Sequence, residues 1–421
     1  MKMEAIGERF DSMWWDGFLE TTQQMSTPCV FKNCITESET TQMRRYILDI
    51  LADFSRQRSI KYGMRLWVDG KQADDLSSFY DCPPLDGEDI PAWTKRAFGE
   101  KKFGIILNRG EKFSKELSRL LAYRLQPLLE KIGMPTEGFL FTIFIGNYDN
   151  TPLGIHKDLP GKSVMHFHLG PGSKDMYTWN DADYESRAGA TVQGNQDIAP
   201  HLPYATRHHF EEGDIYFMPE NRYHVGTQEG LSIGIACWCN NRSNFQFAEQ
   251  LLFFMRNNFL KDSTLMLKAD RNDLENLSGL DKTLALFDIP EHLDNLRFKD
   301  LLSVLYKDLR YALYSNAGYR NAPLPNEDKV TLDIDSVIQL EAPYKLLYYI
   351  PAESDKLVLF SRGTRLEMKN LPEIRGMIDL INKGEQISVR EILQGFSDAF
   401  PRESIYYLLK QIYKYNGIAV L

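Results

Sequence analysis

Two imidazoles and one carboxylate stand out by type and spacing. His156 and Asp158 lie in Gly154-Ile155-His156-Lys157-Asp158, and His224, 66 residues beyond Asp158, closes Gly213-Asp214-Ile215-Tyr216-Phe217-Met218-Pro219-Glu220-Asn221-Arg222-Tyr223-His224. In the order His-x-Asp…His they are the ligand set of a non-haem iron(II) site, which leaves the other metal positions open for substrate and oxygen. Residues i and i+2 of a strand share a face, so His156 and Asp158 can reach one ion together. His224 must then arrive from a second strand, and a closed or nearly closed β-barrel can bring two such strands opposite each other. A lone His-x-Asp also arises by chance, with both side chains merely solvated, so the flanks matter.

Those flanks read as strands. Phe139-Leu140-Phe141-Thr142-Ile143-Phe144-Ile145 before the motif and Val164-Met165-His166-Phe167-His168-Leu169 after it are rich in β-branched and aromatic residues. Gly213-Asp214 is a turn signal feeding a short apolar strand that Pro219 ends. His166 and His168 share one face with Val164, and Met165, Phe167 and Leu169 take the other. They either line a pocket near the metal or are core histidines bonded to neighbours. His208 and His209 fall just before the Gly213 turn, where exposure is expected, and Thr142, Asn147 and Thr151 are polar candidates on the approach to His156.

The stretch from Phe210 to His224, with His156-x-Asp158 upstream, resembles the JmjC and cupin-like oxygenases that use iron(II) and 2-oxoglutarate. Phe10…Trp14-Trp15…Pro28-Cys29-Val30-Phe31-Lys32-Asn33 is similar to the opening segment of that family, an aromatic-rich helix leading into a first strand. The resemblance is clearest over about residues 8–35 and 138–240. It implies a double-stranded β-helix, a jelly-roll barrel in which His156, Asp158 and His224 hold iron and the far carboxylate of 2-oxoglutarate meets a cation inside the barrel. Gly170-Pro171-Gly172-Ser173-Lys174 offers Lys174 in that register, a few residues farther from His156 than the family spacing, with Gly161 and its neighbours absorbing the difference. The alternative for Lys174 is a solvated hairpin residue.

The 421 residues suffice for two or three domains. A net charge of −9 argues against wholesale binding of a phosphate backbone. Five cysteines without zinc-like spacing do not read as a disulfide framework, and Cys237 and Cys239, two apart at the end of the strand Leu231 to Trp238, suit core packing. Acidic residues stand where a signal peptide needs an apolar run, and no stretch is long and apolar enough to span a membrane; a soluble, cytoplasmic protein is expected.

Three regions are expected: a barrel with an N-terminal helical extension over 1–245, a helical segment over 246–325, and a winged-helix module over 326–421. The first includes a helix at 115–131, N-capped by Ser114, striped by Leu117, Leu120, Leu121, Leu125, Leu128 and Leu129, kinked at Pro127 and ended by Gly133. Ala317 to Asp328 reads as a linker. In the tail, Val330 to Ile334, Tyr344 to Ile350 and Lys356 to Phe360 read as strands. Three helices follow, striped by Ile374, Met377, Ile378 and Ile381, opened by a Ser388…Glu391 capping box after Ile387, and started by Pro401 ahead of Ile405, Leu408, Leu409 and Ile412. A last strand spans Ile418 to Leu421. Winged helices often bind DNA, but the charge and the lack of a basic recognition helix argue against it here.

This order of regions is similar to the bacterial ribosomal-oxygenase branch of the family, which implies a homodimer through the helical segment and a protein side chain as substrate. The tail also looks like the winged helices of enzymes that modify ribosomally made peptides. The expected activity is therefore a dioxygenase hydroxylating a protein or peptide. A small-molecule 2-oxoglutarate oxygenase and a non-catalytic metal-binding cupin are the rivals.

Overall fold

The computed structural model describes residues 9–58, 63–189, 192–267, 269, 271–326, 332–352, 354–396 and 401–421. Its central strands separate two environments by simple alternation. In Phe139–Gly146, the side chains of Phe139, Phe141, Ile143 and Ile145 enter an apolar core, while Leu140, Thr142 and Phe144 line a cavity. In Lys162–Pro171, Met165, Phe167 and Leu169 join that core and Val164 and His166 face the cavity. Ser232–Asn240 repeats the pattern, with Cys237 and Cys239 on the core side and Ala236, Trp238 and Asn240 inward.

These strands belong to an eight-stranded antiparallel sheet in the order Cys29–Phe31, Ile215–Met218, Lys162–Pro171, Ser232–Asn240, Phe139–Gly146, Phe103–Leu107, Met64–Val68, Lys71–Gln72. A four-stranded antiparallel sheet faces the cavity from the other side, in the order His156–Lys157, Tyr223–Gln228, Lys174–Thr178, Thr206–Phe210. From Phe139 onward the chain passes back and forth between the two sheets, the double-sheet arrangement of a jelly roll.

Helices cover the outer face of the larger sheet, the four longest of them started by a side-chain cap. Ser12–Thr21 is capped by Asp11, Glu37–Gln57 by a Thr36…Glu39 capping box, Ile90–Phe98 by Asp89, and Lys115–Ile132 by Ser114, whose oxygen accepts the Leu117 N–H. Lys115–Ile132 runs on through Pro127, buries Leu117, Leu121, Leu125 and Leu128, and ends at Gly133. Trp15 is fully buried and donates its indole N–H to the Arg124 carbonyl at 2.9 Å. The strand Cys29–Phe31 pairs with Ile215–Met218, and Asp214 binds the Lys32 ammonium at 2.7 Å and the Asn33 N–H at 2.9 Å. The two sequence signatures that lie farthest apart thus meet at one sheet edge.

Beyond the barrel, Asn244–Phe259 and Phe298–Ser315 pack on each other through Phe259, Leu301 and Leu305. The segment expected as a linker contains no helix or regular strand over 317–326, yet it is tied down. Tyr319 is buried and donates to the Ser118 carbonyl at 2.9 Å, and Asn321 donates to Glu111 at 2.6 Å.

The tail holds two three-stranded sheets, Ile387–Ser388 with Val337–Leu340 and Ile418–Val420, and Leu347–Tyr349 with Lys356–Ser361 and Thr364–Lys369. Of its helices, Pro372–Ile381 and Arg402–Lys414 bury the expected stripes, and Val389–Phe396 buries Val389, Ile392 and Leu393. The Ser388…Glu391 box forms, with the Ser388 N–H donating to Glu391 at 2.8 Å and the Glu391 N–H to Ser388 at 3.1 Å. The strand expected over 330–334 is not where strand begins. Residues 330–331 lie outside the described ones, and Asp333 and Ser336 bond each other's side chain and backbone in a turn. Short polar side chains that bond the local backbone compete with a ladder, which starts instead at Val337.

Candidate metal centre

His156 and His224 face each other because their strands pair in register. His156–Lys157 runs antiparallel to Tyr223–Gln228, with His224 opposite His156 and Tyr223 opposite Lys157. Alternation then sorts the side chains. Lys157 packs its ammonium 4.3 Å from the Tyr223 ring and pairs with Asp181 at 2.8 Å, on the side away from the cavity. His156, Asp158 and His224 point into the cavity, with one potential ligand atom from each lying within 4.8 Å of the others. The imidazole centroids are 4.3 Å apart, and His224 Nε2 is 3.9 Å from Asp158 Oδ2.

The backbone fixes both tautomers. His156 Nδ1 lies 2.9 Å from the Gly154 carbonyl and His224 Nδ1 lies 3.0 Å from the Arg222 carbonyl. A carbonyl can only accept, so each Nδ1 carries the proton and each Nε2 presents a lone pair. This is the outer hydrogen bond that orients metal-bound histidines. Gly154 is required here: its φ is +66°, and a Cβ would stand 2.3 Å from the Asn195 carbonyl oxygen. Burial holds the His224 imidazole down at about 4, with the neighbouring His156 acting in the same direction, so it stays neutral near pH 7. Asp158 Oδ2 is buried without a hydrogen-bond partner. Two neutral lone pairs and an orphaned carboxylate oxygen, all on one side of an open space, suit a divalent transition ion with free positions.

Lys174 opens the strand Lys174–Thr178 at the end away from the metal side. His224 pairs with Thr178 and Gln228 with Lys174, four residues or about 13 Å along the strand. Its side chain is buried in the cavity wall, with the Phe144 and Tyr148 rings each 5.8 Å away, and it forms no ion pair among the described residues. Burial lowers its ammonium to about 8. It is no solvated hairpin residue.

The cavity, about 540 Å³, also takes in His166, Thr142 and Thr151. His166 Nε2 has no partner, and Gly234 makes room for its ring, since a Cβ there would lie 2.3 Å from that nitrogen. His168 is bonded instead, with Nε2 2.7 Å from the Gly172 carbonyl. Asn147 supports the loop by accepting the Phe103 N–H at 2.7 Å, and His208 and His209 lie outside the cavity, His209 on Asp175 at 2.8 Å. Sequence reading missed Arg65, Asn108, Arg109 and Tyr216, all of which line the cavity. Two signals could have found some of them. Asn108-Arg109 is a polar pair directly after the wholly buried Phe103–Leu107, and Tyr216 alternates with Met218 on the inward face.

No family model and no curated protein matches the sequence. Among the solved structures to which this chain is similar are structures of the ribosomal oxygenase YcfD from Escherichia coli. One is 13% identical and aligns over 97% of this chain and 98% of that chain, with a TM-score of 0.49. A YcfD structure in complex with cobalt and 2-oxoglutarate is 14% identical over 96% and 98% of the two chains, TM-score 0.48. Another, with cobalt and succinic acid, is 13% identical over 96% and 98%, TM-score 0.47. At such identities the likeness concerns fold, and the chemistry of this chain rests on its own side chains.

Proposed function

We propose that this chain is an iron(II)- and 2-oxoglutarate-dependent dioxygenase that hydroxylates a side chain of a protein or a ribosomally made peptide. One observation carries the reading: the tautomer-fixed His156 and His224 with the orphaned Asp158 oxygen share a single cavity with a buried, unpaired lysine. Iron(II) with 2-oxoglutarate supplies oxidation of an unactivated C–H bond, one oxygen atom entering substrate and the other leaving in succinate as carbon dioxide is lost.

The protein positions, neutralises and excludes water. His156, Asp158 and His224 would hold the ion by Nε2, a carboxylate oxygen and Nε2. Lys174 would take the far carboxylate of the cosubstrate, since a buried ammonium without a counter-ion is costly and an incoming anion relieves that cost. The 13 Å or so between the two ends is a span that a lysine stem and a five-carbon diacid can share. Leu140, Val164, Met218 and Trp238 line the same cavity and would exclude water from the reacting carbon.

The wider organisation of this reading has barrel, helical segment and tail as regions 1–245, 246–325 and 326–421. The tail is read as a winged-helix-like module, supported by its three helices against the sheet Ile387–Ser388, Val337–Leu340, Ile418–Val420. The exposed Leu252, Phe253 and Phe298 of the helical segment suit a homodimer contact, which sedimentation as a monomer would contradict. The test of activity is succinate release from 2-oxoglutarate by the iron(II)-loaded chain in air. His156→Ala, Asp158→Ala and His224→Ala should each bring it to background. Full turnover by any of the three would sink the triad.

A further inference from the structure

We propose that the substrate is an acidic polypeptide segment, an uncharged aliphatic side chain entering the cavity while neighbouring carboxylates are held at the mouth by Arg65, Arg109 and Lys162. This rests on the reading of the cavity as an oxygenase site.

The three cations come from separate elements. Arg65 lies on Met64–Val68 opposite Ile106, Arg109 follows the end of Phe103–Leu107, and Lys162 begins Lys162–Pro171 opposite Asn240. All three line the cavity that holds the triad, Arg65 and Arg109 exposed and Lys162 half-buried. Among the described residues none of them forms an ion pair. The Arg65 guanidinium sits 5.4 Å from the Trp67 ring, and Arg109 acts on buried Glu111 only through its field. Other surface arginines do find carboxylates, as Arg58 does on Asp81, Arg96 on Glu88 and Arg207 on Asp175.

In a chain of net charge −9 this is a local reversal of sign. With Lys174, the cavity carries four cationic side chains against one carboxylate, Asp158, which the metal would take. A divalent ion and a dianionic cosubstrate cancel, so a positive excess remains for the substrate to answer. The rest of the lining includes the apolar Leu140, Val164, Met218 and Trp238, with His166 and neutral amides and hydroxyls added but no further carboxylate. A lysine or arginine target would bring in a charge with no carboxylate to meet it. An aliphatic target flanked by acid brings counter-charge to that excess, and a guanidinium at the rim can grip a carboxylate through paired N–H donors. The exposure of the rim suits groups on a chain lying across the mouth, and its field would speed capture.

The test uses the full chain loaded with manganese(II), with and without 2-oxoglutarate, and reads binding of blocked tripeptides by water-proton relaxation. Leucine is flanked on both sides by aspartate, asparagine or lysine. The aspartate peptide should bind about 10-fold or more tighter than the asparagine one. In the double variant Arg65→Glu, Arg109→Glu the order should invert in favour of lysine, which a loss of packing alone would not produce. Equal binding of aspartate and asparagine peptides, preference for lysine in the unsubstituted chain, or no binding of any peptide would overturn the proposal. So would tighter binding of a single-stranded oligouridylate, which would make the rim a phosphate reader. Failure of 2-oxoglutarate to bind the manganese-loaded chain would overturn the oxygenase reading instead, while the peptide ranking still decides the rim.

Discussion

At Lys174, burial works against the charge that the cosubstrate would need. Its ammonium falls from 10.5 to about 8. The unfolded chain therefore holds that proton more tightly than the folded one, so the charge destabilises the fold below pH 8 and the cost is relieved as pH rises from 8 toward 10.5. Lys174→Met should stabilise the chain at pH 7 by about 3 kcal/mol, with the gain shrinking above pH 8 in chemical denaturation. The same substitution should weaken 2-oxoglutarate binding roughly 30-fold or more, the usual consequence of removing one member of a buried charge pair. Unchanged affinity would move the anchor elsewhere. That His156, Asp158 and His224 come together was readable at this scale because a strand's period puts His156 and Asp158 on one face. Arg65 and Arg109 were not, since a surface arginine becomes informative only when the carboxylates around it are seen to be missing.

Among the elements, Glu111 joins three. Its carboxylate accepts the Phe141 N–H at 3.0 Å and the Asn321 amide at 2.6 Å, and the Ser118 hydroxyl donates to its carbonyl at 2.9 Å. Burial outweighs those donors and raises the carboxyl to about 7. Here the folded state holds the proton more tightly, so stability should fall as pH rises from 4.5 to about 7 and level off above, by about 3 kcal/mol. Denaturation of the chain against Glu111→Gln across that window measures it, and a flat difference would contradict the assignment. Helix starts were legible, as at Ser114 and at the Ser388…Glu391 box, because a cap is a local hydrogen bond. The first tail strand was misplaced because Val-x-Leu-x-Ile looks like alternation until Asp333 and Ser336 close a turn. The strand Thr364–Lys369 escaped because its inward positions mix Thr364, Leu366 and Met368 with charges on the other face.

For the molecule as a whole, the tail is joined to the barrel through buried polar groups rather than a free linker. Asn316 is fully buried, donates to the Tyr319 and Asn321 carbonyls at 3.1 and 2.9 Å, and accepts from Arg362 Nε at 3.0 Å. Arg362 in turn lies 3.2 Å from the centre of the Tyr344 ring, and Tyr344 belongs to the barrel's core. Asn316→Ala leaves several of these groups unpaired and should cost about 3 kcal/mol, splitting one thermal transition into two in calorimetry. A loss under about 1 kcal/mol with a single transition would show that the tail is held otherwise. Deleting residues 326–421 is a poor test of substrate binding for the same reason, because it would open the barrel core at Tyr344. The central claim is best tested by anaerobic titration of the iron(II)-loaded chain with 2-oxoglutarate, following the visible charge-transfer band of the chelate. A saturable band that His224→Ala abolishes is the expected result. Iron bound without any band would contradict 2-oxoglutarate chemistry at this site.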